Sequence, residues 1–220
     1  MLLSTALRLA AHRDAAGGPS PSRQASPAAN PVRIGIFGGT FDPIHVAHVV
    51  AAVEVRRALG LDRVLLVPAG DPWQKRGQVA APAADRVAMV EAAIDGIDGL
   101  ELCRIEVDRP GPSYTADTLA ALSGPDRELF LVVGVDVAAT LSTWAGVERI
   151  PDLATLVVVD RAGAAHGGPP PGRWRIEHVA IPHLEVSSTD LRARAARGWP
   201  LDGLVPPGVV RIIAERNLYN

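Results

Sequence analysis

Along the chain, short runs of consecutive apolar residues alternate with segments whose apolar residues recur every three or four positions. Val32 to Phe37 (VRIGIF) is a β-branched run ended by Gly38-Gly39, the pattern of a strand entering a tight turn. Pro43 to Leu59 follows with Val46, Val49, Val50, Val53 and Leu59 at helical spacing. Arg63 to Val67 (RVLLV), stopped by Pro68 and Gly70, predicts a second strand. Ala84 to Ile94, with Val87, Val90 and Ile94 on one face, predicts a second helix. Glu101 to Val107 alternates like a strand, and Thr115 to Leu122 reads as a short helix. Glu128 to Val133 (ELFLVV) and Ala154 to Val159 (ATLVVV) are nearly continuous apolar runs, as expected of strands covered on both faces. Arg173 to Ile181 predicts a last strand, and Thr189 to Arg197 and Gly208 to Arg216 predict closing helices.

Strand and helix patterns thus alternate about five times. That alternation implies βαβ units, right-handed crossovers and a parallel sheet. The expected fold class is α/β, a Rossmann-like doubly wound parallel sheet with helices on both faces. Such a sheet binds ligands at the carboxyl ends of its strands, near the point where the strand order reverses. There are no internal repeats, and His166 to Gly172 (HGGPPPG) reads as a loop.

Order is expected from Val32 onward. Gly17 to Pro31 is rich in Gly, Ala, Ser and Pro and cannot build a core, so residues 1–31 read as a disordered N-terminal extension or an over-long start. Arg8 interrupts the apolar run Met1 to Ala11, unlike a secretory signal, whose positive charge precedes its apolar core. Arg8, Arg13 and Arg23 against the lone acid Asp14 also fit a transit peptide. Residues 32–220 read as one domain.

Composition narrows the function. The chain has 220 residues, 48% hydrophobic and 21% charged, with a net charge of −2. With a pI near 6.3 it lacks the basic excess of a non-specific nucleic-acid binder. No apolar stretch reaches the roughly 18 residues of a membrane-crossing helix, so a cytoplasmic protein without membrane attachment is expected. The single cysteine, Cys103, excludes an internal disulfide and multi-cysteine metal sites, and reads as a small buried hydrophobe.

The chemistry concentrates in Gly38-Gly39-Thr40-Phe41-Asp42-Pro43-Ile44-His45-Val46-Ala47-His48. Glycines after a strand let a phosphate approach the backbone, and the following helix points its positive end at the same place. His45 and His48, three residues apart, share a helix face beside that anion site. Their imidazoles can donate to phosphate oxygens and stabilise charge during phosphoryl transfer. A tight turn with one capping and one core histidine, or a zinc pair, are the plainer alternatives. Gly-x-Gly-x-x-Gly is missing after the first strand and Gly-x-x-x-x-Gly-Lys-[Ser/Thr] is absent, so neither a dinucleotide fingerprint nor a P-loop is present. Ser187-Ser188-Thr189-Asp190-Leu191-Arg192 is a helix start, Ser187 and Asp190 imitating a capping box, and its hydroxyls, N–H groups and Arg192 suit a polyphosphate tail. Asp42 reads as a turn-fixing residue. Trp174 and Trp199 read as packing residues.

Residues 38–48 resemble the signature of the nucleotidyltransferase superfamily with a His-x-Gly-His motif. Pro72-Trp73-Gln74-Lys75, Gly111-Pro112-Ser113-Tyr114-Thr115-x-Asp117-Thr118-Leu119, Gly134-Val135-Asp136 with Leu141 and Trp144, Ser187 to Arg192, and Asn217-Leu218-Tyr219 resemble, in order, bacterial-type nicotinate mononucleotide adenylyltransferases. The resemblance runs from about Val32 to Tyr219. It departs in two places: Ala47 stands where glycine is usual, its methyl crowding the nucleotide, and Arg161-Ala162-Gly163 has alanine where an Arg-Pro-Gly segment has proline.

The resemblance implies transfer of AMP from ATP to nicotinate mononucleotide, giving deamido-NAD and pyrophosphate. His45 and His48 would be catalytic. Gly38, Gly39, Thr40, Phe41, Asp136, Ser187, Ser188, Thr189 and Arg192 would join them in binding ATP. Lys75, Tyr114, Thr115, Trp144 and Arg161 would hold the mononucleotide, with the Trp144 indole on the pyridinium and the Tyr114-Thr115 helix start on the carboxylate. Mg²⁺ is the expected cofactor, with Asp136 reaching it through water. The expected partners are these small molecules, with a homo-oligomer left open. Alternatives are a sibling transferase using nicotinamide mononucleotide or pantetheine phosphate, and a non-catalytic nucleotide-binding module.

Overall fold

The structure, a computed structural model, describes residues 30–75, 77–161 and 172–220. The expected extension, apart from its last two residues, lies outside the described residues, as does all of the loop at 166–172 but Gly172.

Six strands form one parallel sheet: β1 (Val32–Gly39), β2 (Arg63–Pro68), β3 (Leu100–Leu102), β4 (Arg127–Gly134), β5 (Thr155–Arg161) and β6 (Ile176–Ile181), in the order β3-β2-β1-β4-β5-β6. The helices are α1 (Val46–Leu59), α2 (Ala83–Ile94), α3 (Thr115–Leu122), α4 (Val135–Ala138), α5 (Ile150–Leu153), α6 (Ser188–Ala195) and α7 (Pro207–Glu215). The doubly wound α/β architecture read from the sequence is the one observed.

The apolar runs of the central strands are explained by the pleat. Ile34, Ile36, Leu65, Val67, Leu129, Leu131, Leu156 and Val158 face one core, shared with Ala116 and Leu119 of α3 and Ile150 of α5. The alternate residues Val64, Leu66, Phe130, Val132, Val157 and Val159 face the other, shared with α1, α2 and α7 through Val55, Met89, Val90, Val209 and Ile213.

Five expectations change. The strand expected over Glu101 to Val107 stops at Leu102. Cys103 N–H still donates to Leu66 O, but the next rung would need an N–H from Pro68, which has none. The chain turns instead, with Asp108 N–H bonded to Arg104 O, and Cys103 is half-buried rather than a core residue. The helix expected from Pro43 begins at Val46, since Asp42-Pro43-Ile44 form a buried turn and His45 is the N-cap in extended conformation. The tight turn expected at Gly38-Gly39 also moves to Asp42-Pro43, because both glycines complete β1 and pair with Val67 and Pro68. Trp174 packs against the core, whereas Trp199 is 50% exposed beneath the guanidinium groups of Arg194 and Arg197.

Candidate active site

The strand order reverses between β1 and β4, which leaves a crevice at the carboxyl edge of the sheet. β1 delivers Gly38 and Gly39 to that edge. Gly38 is exposed, with no atom within 4 Å of where a Cβ would stand, so its backbone is open to a ligand. Gly39 is needed for packing, since a Cβ there would lie 2.9 Å from the Phe41 ring. Phe41 is 2% exposed and sits at φ 50°, a left-handed conformation uncommon for a bulky residue. Its ring meets His48 edge-on at 5.2 Å between centroids, and Phe37 at 5.9 Å. Phe41 therefore orients His48 with its side chain and offers a nucleotide only its main chain.

His45 and His48 flank the start of α1, with their rings stacked at 3.7 Å. The His45 N–H donates to His48 Nδ1 at 3.3 Å, which places the proton of a neutral His48 on Nε2. His45 is 6% exposed and its Nδ1 is buried without a hydrogen-bond partner. Burial pushes its pKa down from 6.5 to about 4, so the ring is neutral at physiological pH. Val46 N–H donates to Leu204 O and His48 N–H to His45 O, which leaves the Ala47 N–H and the helix dipole as what the start of α1 offers an anion.

A second helix start is docked on the same turn. Ser187 caps α6, its hydroxyl oxygen accepting from the Asp190 N–H at 3.1 Å and donating to Asp190 Oδ2 at 2.8 Å. Ser188 Oγ donates to Pro43 O at 2.9 Å, and Arg192 Nη1 donates to Asp42 O at 2.8 Å. The Ser187 hydroxyl thus caps α6 and the Ser188 hydroxyl docks it on the turn, leaving the Ser188 and Thr189 N–H groups, exposed Thr189 and the rest of the Arg192 fork for a ligand. Residues 38–48 and 187–192, some 140 positions apart, are brought together as expected.

The other expected residues stand on separate supports. Asp136 is exposed in the first turn of α4, directly after β4. Tyr114 is the N-cap of α3 and Thr115 its first residue; the Tyr114 ring meets Trp73 edge-on at 6.1 Å. Trp144 is half-buried against the core beside α3 and α5. Gln74 Nε2 donates to Thr143 Oγ1 at 3.0 Å, linking the segments that carry Trp73 and Trp144. Lys75 ends a short 3-10 turn and Arg161 ends β5 paired with Ile181, their side chains lying outside the description.

Sequence reasoning passed over Arg86. It is 1% exposed, and donates from Nη1 to Thr40 O at 2.8 Å, from Nε to Ala81 O at 3.2 Å and from Nη2 to Gly70 O at 3.4 Å. A charged residue within an apolar helical face was the available signal, since a buried arginine needs partners. Among the described residues no three His, Cys, Asp or Glu side chains group to cage a metal. No helix there is long and apolar enough to cross a membrane.

The cytidylyltransferase-like family model matches residues 36–194. The chain is 42% identical over 189 residues to a probable nicotinate-nucleotide adenylyltransferase of Saccharopolyspora erythraea, covering 85% of this chain and 89% of the relative. It is 45% identical over 187 residues to a protein of the same description from Streptomyces coelicolor, covering 83% and 98%. In fold it is similar to Plasmodium falciparum nicotinic acid mononucleotide adenylyltransferase complexed with NaAD, at TM-score 0.70 and 17% identity, covering 85% of this chain and 97% of the other.

Proposed function

The chain belongs to the cytidylyltransferase-like family and, within it, to the nicotinate-nucleotide adenylyltransferases; from that premise we propose how its residues divide the work. The protein is a nucleotidyltransferase of NAD biosynthesis that moves AMP from ATP to nicotinate mononucleotide, releasing pyrophosphate. The observation that supports the division of labour is the convergence of two helix starts, α1 and α6, with His48 and Arg192 on one buried turn.

The nucleophile is the 5′-phosphate of the mononucleotide. A phosphate monoester has a second pKa of about 6, so it is largely dianionic at neutral pH and needs no general base. Its oxygen attacks the α-phosphorus of ATP. The new P–O bond forms as the bond to the bridging oxygen breaks, and the electron pair leaves with pyrophosphate. What remains for the protein is in-line positioning and stabilisation of leaving-group charge. His48 donates from Nε2 and neutral His45 from its ring N–H toward the α- and β-phosphates. The backbone at Gly38 to Phe41 admits the nucleotide; the Ser188 and Thr189 N–H groups, the Thr189 hydroxyl and Arg192 hold the tail, while the Ser187 and Ser188 hydroxyls fix the α6 start. Tyr114 and Thr115 present the α3 N–H groups to the nicotinate carboxylate, Trp144 faces the pyridine, and Lys75 and Arg161 serve the mononucleotide phosphate.

Mg²⁺ fits this site as an ion carried by the triphosphate with its own waters: Asp136 offers an exposed carboxylate beyond β4, and among the described residues no three His, Cys, Asp or Glu side chains form a cage. When bound, it neutralises charge on the β- and γ-oxygens. We place the reaction in the cytoplasm and leave self-association compatible with it; light scattering would count the copies.

The test is pyrophosphate release by the purified protein with ATP and Mg²⁺, with nicotinate and nicotinamide mononucleotide in parallel. A strong preference for the acid is expected. Equal use of both would remove the carboxylate role of Tyr114 and Thr115, and no release with either would defeat the transferase reading.

A further inference from the structure

Behind the phosphate-facing side of the β1–α1 turn lies a buried polar group that the mechanism above does not use. The Asp42 carboxylate is 3% exposed. Its Oδ2 accepts the Ala80 N–H at 2.8 Å, and its Oδ1 accepts the Ala81 N–H at 3.0 Å and the Tyr219 hydroxyl at 2.9 Å. Arg86 is the charge that compensates it, attracted electrostatically while its three hydrogen bonds run to main-chain carbonyls of Thr40, Ala81 and Gly70. Arg192 joins from the other side, 3.9 Å from Asp42 Oδ2 and bonded to the Asp42 carbonyl. Tyr219 is the last residue but one, just beyond α7, and its hydroxyl also lies 3.9 Å from Met89 Sδ on α2.

Three distant parts of the chain therefore close on residues 40–42: α2, α6 and the C-terminal segment. Each bond reaches a group that carries no substrate contact of its own but fixes one that does. Thr40 O sets the path from Gly39 to Phe41, and Phe41 orients His48. The Asp42 carbonyl sets one arm of Arg192. Burial and the neighbouring Asp42 carboxylate raise the Tyr219 pKa far above the usual phenol range, so the hydroxyl remains a donor throughout the working pH range. Hydrogen bonds to a buried charge are stronger than neutral ones, and losing a partner exposes the full desolvation penalty.

We propose that Tyr219 and Arg86 are positioning residues for adenylyl transfer: through Asp42 and the Thr40 carbonyl they hold the turn so that His45, His48 and Arg192 meet the triphosphate together. This rests on the transferase reading of the same site.

The test compares the full-length protein with its Tyr219→Phe and Arg86→Lys variants, by calorimetric ATP binding and by steady-state kinetics. Tyr219→Phe keeps the ring and removes one hydrogen bond to a carboxylate, so about a tenfold weaker ATP Kd and about a tenfold lower kcat are expected. Arg86→Lys keeps the charge but loses the fork, and a turn displaced by about 1 Å should lower kcat roughly a hundredfold. The KM for nicotinate mononucleotide should not move in Tyr219→Phe, and circular dichroism should show it folded. Wild-type ATP affinity and kcat in folded Tyr219→Phe would overturn the proposal, leaving the hydroxyl as an anchor of the C-terminus. So would an equal weakening for both substrates, which marks general loosening. If the wild type releases no pyrophosphate, the transferase reading fails, and the ATP affinities still decide whether Tyr219 sets the turn.

Discussion

The two sides of the crevice are built differently. On the side proposed for the triphosphate, residues 38–48 are gripped by Arg86, Ser188, Arg192 and Tyr219 through half-buried groups. On the side proposed for the mononucleotide, Trp73, Tyr114 and Trp144 stand on short elements joined by a ring-edge contact, the Gln74–Thr143 hydrogen bond and the exposed Arg149–Asp117 pair at 2.7 Å. The contrast follows from what each side must do. Stabilising charge in a transition state requires groups fixed before the reaction, whereas choosing a flat acceptor ring tolerates adjustment.

The contrast can be broken in four places. The largest effect is expected at His48→Ala, which removes a donor aimed at developing charge. A loss of roughly 10²–10³ in kcat with little change in KM should appear in steady-state assays, whereas unchanged turnover would remove His48 from the chemistry.

The next concerns His45 and pH. Its pKa is about 4 folded against 6.5 for the ordinary group, so the unfolded chain binds more protons between those values. Stability is fully present above pH 6.5 and declines as pH falls toward 4, by about 3 kcal/mol in total. Denaturant melts of the wild type and His45→Gln at pH 7 and pH 4 should show a shallower decline in the variant; parallel declines would mean that His45 is not buried neutral.

Acceptor-side effects should be smaller. Trp144→Ala should raise the KM for nicotinate mononucleotide about tenfold, the scale of one lost aromatic stacking partner, and leave the KM for ATP unchanged. A shift in the ATP constant instead would assign Trp144 to the core. The smallest effect is expected at Arg149→Ala. Its ion pair with Asp117 is about half exposed on both sides, so less than about 1 kcal/mol of stability should be lost in a thermal melt.

What the sequence revealed, and what it hid, follows the same divide. The central strands were legible because a buried parallel strand must be apolar on both faces, and their limits held to within about two residues. The Gly38 to His48 segment was legible because its parts are contiguous. Arg86 and Tyr219 were not, because their partners lie 46 and 177 positions away. The four-residue helices α4 and α5 escaped because so short an element shows no period.

Sequence alone determined the alternating layers, the crevice at the carboxyl ends of the strands and the run of glycines and histidines that stands there. Each of these depends on periodicity or on neighbours in the chain. Only the tertiary structure decided that the Phe41 ring packs under Gly39 and against His48, that Ser188 docks α6 on the Asp42-Pro43 turn, and that the Asp42 carboxylate is balanced by Arg86 of α2 and Arg192 of α6 and hydrogen-bonded by Tyr219. The reason is that a buried charge draws its partners from whatever the fold brings near, and distance along the chain carries no record of that.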